Sequence, residues 1–151
     1  MTPADHGPGK TELEDTMRYA ILIYDTESAN PSAEAPSPEV MQQVMDEYFA
    51  YSAMLRDRGA LQATEALQPV QTATTIRQQD GQTVTTDGPF AETKEALGGF
   101  YIVDAKDLDE ALELGGQCPG ARYGASIEVR PVIDFEADYA DRDPAAAATQ
   151  M

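Results

Sequence analysis

One apolar stripe constrains this chain more than any other feature. Met41, Val44, Met45, Tyr48, Ser52 and Leu55 recur at three- and four-residue spacing. A helix gathers such positions onto a single face, whereas a strand scatters them over two. Ser37 supplies an N-cap hydroxyl and Pro38 stands at the first helical position, where a missing N–H costs nothing. Arg56 and Arg58 fall in the last turn, which the helix dipole favours, and Gly59 ends the helix. A long helix with one apolar face needs a flat apolar partner, so the flanking segments decide the fold.

Those segments read as strands. Residues 18–24 (RYAILIY) form a short apolar run rich in β-formers. Residues 25–37 are expected to be a polar loop, with Asn-Pro, Ala-Pro and Ser-Pro steps. Residues 61–67 make a second strand. Residues 73–78 and 82–86 are Thr-rich arms around Asp80-Gly81, a hairpin-turn pair. A turn at Asp87-Gly88-Pro89-Phe90 and a polar run to Gly98-Gly99 lead into a strand at residues 100–103. Asp107 and Glu110 have the spacing of a capping box, opening a shorter helix through Leu112 and Leu114 towards Gly115-Gly116. Cys118-Pro119-Gly120 closes it. Residues 125–132 form the last strand, with Ile127 and Val129 facing one way and Ser126, Glu128 and Arg130 the other. The order is an α+β fold: a βαββαβ unit with an inserted hairpin, giving an antiparallel sheet with both helices on one face. The other face stays uncovered, and a second copy is the simplest cover, so a homodimer is expected.

The chain has 151 residues, 27 acids and 10 bases, for a formal charge of −17. Its length fits one domain. Its charge argues against a duplex nucleic-acid binder, which needs a basic face to neutralise phosphates, and disfavours an anionic membrane surface. The two ends are acidic and of low complexity: residues 1–17 hold four acids and one base, residues 134–151 five acids and one base. Residues 1–16 and 134–151 are therefore expected to be disordered, around a folded domain at 17–133. Met17 directly precedes the first strand and is a candidate start. No secretory signal precedes it and no apolar run reaches the ~18 residues of a membrane span, so a cytoplasmic location is expected. His6 and Cys118 are the single His and Cys, too few for a zinc set or an internal disulfide. Gly98-Gly99 lacks the spacing and the Lys-Ser/Thr of a phosphate loop. No metal and no cofactor are expected.

Residues 87–95 (DGPFAETKE) are the most unusual stretch, with three carboxylates, one ammonium and one aromatic. Carboxylates this close raise one another's pKa, which suits Asp87 or Glu92 to general acid–base work, and Lys94 suits an anionic substrate group. The same residues also fit a tight Asx turn and a solvated loop. Arg77 lies mid-strand on the face of Thr75, placed to clamp a carboxylate or, equally, to block edge aggregation. Glu65 and Glu128 join it as ligand-binding candidates if all three face one cleft. Cys118 lacks a His partner and reads as a packing residue.

At this stretch the chain becomes recognisable. TDGPFAETKEALGGFYIVDAKDLDEALELGGQCPGARYGASIEVRPV, with MRYAILIYDTE and GALQATEALQPVQTATTIR before it, resembles the YCII-related proteins of the DGPF subgroup. The resemblance spans residues 17–132 and implies a ferredoxin-like protomer paired into a dimeric α/β barrel, with a small pocket between sheet and helices. Some relatives carry a His–Asp pair proposed as catalytic; no His of this chain lies in the domain to match it. A few relatives resemble lyases that eliminate halide from lactone-type compounds. Many subgroup members resemble accessory proteins encoded beside extracytoplasmic-function sigma factors, which implies a sigma factor as a protein partner. Three readings therefore stand open: a binder of a small anionic molecule, a lyase or isomerase using Asp87 or Glu92 as base with Lys94 or Arg77 steadying the anion, and an interaction module.

Overall fold

The structure is a computed structural model that describes residues 16–30 and 36–138. Most of the two segments expected to be disordered, 1–16 and 134–151, lies outside the described residues. β1 (Met17–Asp25), β2 (Leu61–Ala66), β5 (Ala96–Ala105) and β6 (Ser126–Pro131) form one antiparallel sheet in the order β2-β5-β1-β6. β3 (Thr74–Gln79) and β4 (Gln82–Asp87) pair only with each other as a separate ribbon. Its turn has positive φ at both Asp80 and Gly81, the geometry that matches the twist of a two-residue hairpin and favours an Asp-Gly pair. The helices are α1 (Thr26–Ala29), α2 (Pro38–Asp57), α3 (Leu108–Gly116) and α4 (Phe135–Asp138). This strand order and helix placement are consistent with a ferredoxin-like α+β fold.

The helix starts follow the expected chemistry. Ser37 Oγ accepts the Val40 N–H at 3.2 Å, opening α2. Asp107 Oδ1 accepts the Glu110 N–H at 2.9 Å, while Glu110 Oε1 accepts the Lys106 N–H at 2.7 Å, so two otherwise unpaired donors are satisfied at the start of α3. Both helices lie on the sheet face that carries Tyr19, Ile21, Tyr101 and Val103. Leu55, Ala111, Leu114 and Cys118 complete the core. Tyr101 is its hub: the Tyr51 ring meets it edge-on at 5.0 Å, Tyr48 lies parallel at 6.5 Å, and its hydroxyl bonds Ser52 Oγ at 2.8 Å. Tyr51 in turn donates to the Leu114 carbonyl at 2.7 Å, tying α2 to α3 through a buried hydrogen bond.

Three sequence expectations need correction. The segment expected as pure loop after residue 25 opens with a helical turn, α1, because Asp25 Oδ1 caps the Ser28 N–H at 2.6 Å. β5 starts at Ala96 rather than at residue 100. Gly98 and Gly99 look like breakers but serve close approach here: a Cβ on Gly98 would run into Ser28 Oγ, and one on Gly99 would lie 2.9 Å from the Glu65 carbonyl. The α2 stripe is also only partly buried. Tyr51 and Leu55 are buried, whereas Met41 and Met45 are exposed and Phe49 is 65% exposed. Twenty residues of helix extend about 30 Å, and its N-terminal half overhangs the core.

The opposite sheet face carries a cross-strand row of Glu65, Phe100, Leu22 and Glu128, one residue from each strand. The next row is Ala63, Ile102, Ala20 and Arg130. An apolar centre of Leu22, Phe100, Ala20 and Ile102, half-buried within one chain, is thus rimmed by charge on both edge strands.

Candidate functional site

The residues after β4 build a cleft at one end of the sheet. Gly88, at φ +97°, turns the chain, and its N–H donates to the Ala73 carbonyl at 2.7 Å. Thr75 Oγ1 donates to the Gly88 carbonyl at 2.8 Å. At the other end of the loop Thr93 Oγ1 donates to the Glu95 carbonyl at 2.5 Å, and Glu95 Oε1 accepts from Ser126 Oγ at 2.9 Å. Residues 87–95 are therefore pinned to the ribbon root on one side and to β6 on the other. Between these pins Pro89, Ala91, Glu92 and Thr93 form one wall of a cleft of about 390 Å³. Ala29 and Asn30 at the end of α1, with Val70 and Gln71 of a single 3₁₀ turn, form the rest. This volume lies within the range of small-molecule sites. Glu92 is the one ionisable group among these lining residues.

The α1 wall depends on a glycine. Ser28 seats on Gly98 of β5, and the Gly98 carbonyl accepts the Leu67 N–H at 2.8 Å, so one residue positions α1 and the exit of β2 together. Gly98→Val is expected to push α1 off the strand and to cost about 1–3 kcal/mol, the usual penalty of overpacking. Urea unfolding of Gly98→Val, with and without Ser28→Gly, checks this: removing the Ser28 side chain should recover part of the loss.

The residues singled out from sequence occupy three places. Glu92 lines the cleft. Asp87 and Lys94 flank it on the same loop, Asp87 at the end of β4 opposite Thr74. Arg77 projects from the ribbon opposite Val84, three residues beyond Thr74 and so about 10 Å from the root. Glu65 and Glu128 share the uncovered sheet face, on opposite edge strands. There Tyr24 donates to Glu128 Oε1 at 3.3 Å, and Arg130 Nε stands 3.8 Å from the same oxygen. Desolvation, reinforced by the negative charge of Glu128, raises the Tyr24 phenol above its ordinary pKa. Among the described residues Arg77 and Lys94 enter no ion pair.

Asn30, Gln71 and Thr93 escaped the sequence reading. Short polar side chains in loops carry no pattern of their own, and only folding brings residues 30, 71 and 93 together. Cys118 is fully buried with its Sγ 3.7 Å from the Tyr48 hydroxyl, and burial pushes its thiol pKa up. It packs as a neutral thiol and not as a nucleophile. Among the described residues no helix is long and apolar enough to cross a membrane, and no group of three His, Cys, Asp or Glu has the placement of a metal site.

The loop and sheet just described lie inside a family match: the YCII-related domain covers residues 17–136. The chain belongs to the YCII-related family. It is also 40% identical over 121 residues to an uncharacterized protein of Rhizobium meliloti (strain 1021), an alignment covering 80% of this chain and 95% of that one. The match opens at Met17, the first residue of β1, and closes within α4. Both the cleft and the ribbon of this YCII-related protein therefore fall within the shared region.

Proposed function

We propose that this YCII-related protein, as a member of the DGPF subgroup, is a homodimer that binds a small anionic molecule bearing a hydroxyl group. The observation that carries the reading is the cleft, whose lining brings Glu92 of the DGPF loop together with Asn30 and Gln71. A carboxylate takes a hydrogen bond from a ligand hydroxyl, and carboxamide N–H groups donate to its oxygens. The cleft lining holds no cation, so the ligand's negative end lies at the rim, where Lys94 follows Thr93 directly. Glu65 and Glu128 belong instead to the dimer face, and Arg77 to the ribbon.

A second reading shares the same carboxylate. In a lyase or isomerase, Glu92 removes a proton from the bound molecule and Lys94 steadies the resulting anion. Asp87 stands outside the cleft lining, so Glu92 is the base this reading names.

A thermal-shift series with glycolate, lactate and malate separates binding from its absence. A ligand at ten times its dissociation constant stabilises by about 1.4 kcal/mol, which is roughly 3–6 °C for a domain of this size. At least one of the three is expected to give such a shift at millimolar concentration, and Glu92→Gln and Lys94→Ala should each remove most of it. No shift with any probe, or an unchanged shift in both variants, would overturn the assignment. Turnover of a binding probe that vanishes in Glu92→Gln would select the lyase reading.

A further inference from the structure

Beside its core-facing side, α2 carries a second apolar strip that the core does not use. Met41, Met45 and Phe49 are 42%, 45% and 65% exposed, and none belongs to the core or to the half-buried side chains packed on it. At 3.6 residues per turn the three fall within about 80° of arc and about 12 Å of helix, so they form one continuous strip. On one side of it Tyr48, Tyr51 and Leu55 turn into the core. On the other side lie Glu39, Asp46 and Asp57, all exposed. Gln42 Nε2 donates to Asp46 Oδ1 at 2.9 Å, which holds that carboxylate at the border. Single exposed apolar residues are ordinary, whereas a contiguous row rimmed by charge marks a contact surface. Methionine suits such a surface, because its unbranched, polarizable side chain adapts to whatever it meets.

Charge decides what covers the strip. A two-fold axis at Met45 would pair α2 with a second α2 and set Asp46 against its own copy, in a chain already at −17. The stretches of this chain outside the described residues are no better matched: residues 1–15, 31–35 and 139–151 each hold more acids than bases. An anionic membrane is repelled by the same border. A helix with apolar residues on one face and Lys or Arg beside them satisfies both halves of the surface. Its apolar face takes the strip, and its cations meet Glu39, Asp46 and Asp57.

We infer that Met41, Met45 and Phe49 form the docking surface for a basic amphipathic helix of another protein. The strip lies in the helix layer, on the side of the sheet away from the face assigned above to the homodimer. Each copy of a dimer therefore presents one. The surface is also separate from the cleft, whose lining includes no residue of α2, so the two assignments stand or fall independently.

Fluorescence anisotropy of synthetic peptides with the full chain tests this. The probe is a Leu–Lys peptide of about 18 residues with Leu at helical spacing, long enough to hold a helix. One control has the same composition in scrambled order, and another has Glu in place of Lys. The patterned Leu–Lys peptide is expected to bind at micromolar concentration in about 0.15 M salt, which screens distant charges. Both controls should bind about tenfold more weakly or worse, and Phe49→Ala should cost the probe about tenfold, as loss of an aromatic anchor does. Met45→Ala should weaken it less. Glu39→Gln with Asp46→Asn should weaken it a few-fold, and Ile76→Ala, on the ribbon, should leave it unchanged. Urea midpoints like the parent's are expected for all these variants, so that lost binding reads the surface and not the fold. Equal binding of either control peptide, an unchanged affinity in Phe49→Ala, or an equal loss in Ile76→Ala would overturn the docking surface. Conversion of a dimer to a monomer by Phe49→Ala in light scattering would also overturn it, because a second copy would then cover the strip.

Discussion

Leu55→Ala is expected to lower the stability of the fold by about 3–4 kcal/mol, within the range measured for leucine truncation in well-packed cores. Leu55 has no exposed surface and sits where α2 meets the sheet, among Tyr51, Tyr101 and Leu114. Its neighbours have little freedom to collapse into the vacated space. Tyr51 is held by the Leu114 carbonyl, and Tyr101 by Ser52 and by ring contacts on two sides. A cavity that cannot relax keeps its full cost. Met45→Ala, nearly three turns earlier on the same helix, is expected to change stability by less than about 0.5 kcal/mol, because Met45 lies on the overhanging half. Urea unfolding followed by tyrosine fluorescence reads both variants, the chain having seven Tyr and no Trp. Chain concentration must be held constant, since association with a second copy raises apparent stability. Equal losses for the two variants would mean that the N-terminal half of α2 is packed as tightly as the C-terminal half.

The contrast between Leu55 and Met45 also marks the limit of what the sequence tells about the fold. Periodicity locates the stripe and hence the helix, but a period records which face is apolar and not how far the partner surface extends beneath it. β1 was legible as an unbroken apolar run of β-formers, and β6 by the alternation that sets Ile127 and Val129 on one face. The start of β5 was not: Gly98 and Gly99 carry no side chain to alternate, and their role is to let Ser28 and the β2 backbone come close. The cap at Asp25 was hidden for a different reason. A capping aspartate and a loop aspartate are the same residue until the Ser28 N–H is in place. For the candidate site, the loop containing Glu92 stood out by charge density, while Asn30 and Gln71 had no local signal and were assembled by the strand order. Glu65, Glu128 and Arg77 stood out as charges in strands, and the register assigns the first two to opposite edges of one sheet face, which no single-strand pattern records.

That sheet face carries the largest functional consequence. In the homodimer proposed above, Phe100→Lys is expected to leave a monomer at micromolar concentration, measured by light scattering on the full chain. Phe100 and Leu22 occupy adjacent strands at the middle of the row between Glu65 and Glu128. Stacking a second sheet about 10 Å away removes this centre from water. A lysine there must lose its hydration without a partner or hold the sheets apart, a penalty of several kcal/mol for each copy. Two-fold symmetry counts it twice, so dimer affinity should fall by roughly 10³-fold or more. The folded protomer should survive, because the Phe100 side chain points away from the core containing Tyr101 and Val103. A tyrosine fluorescence and unfolding profile like that of the parent at matched low concentration would confirm that survival.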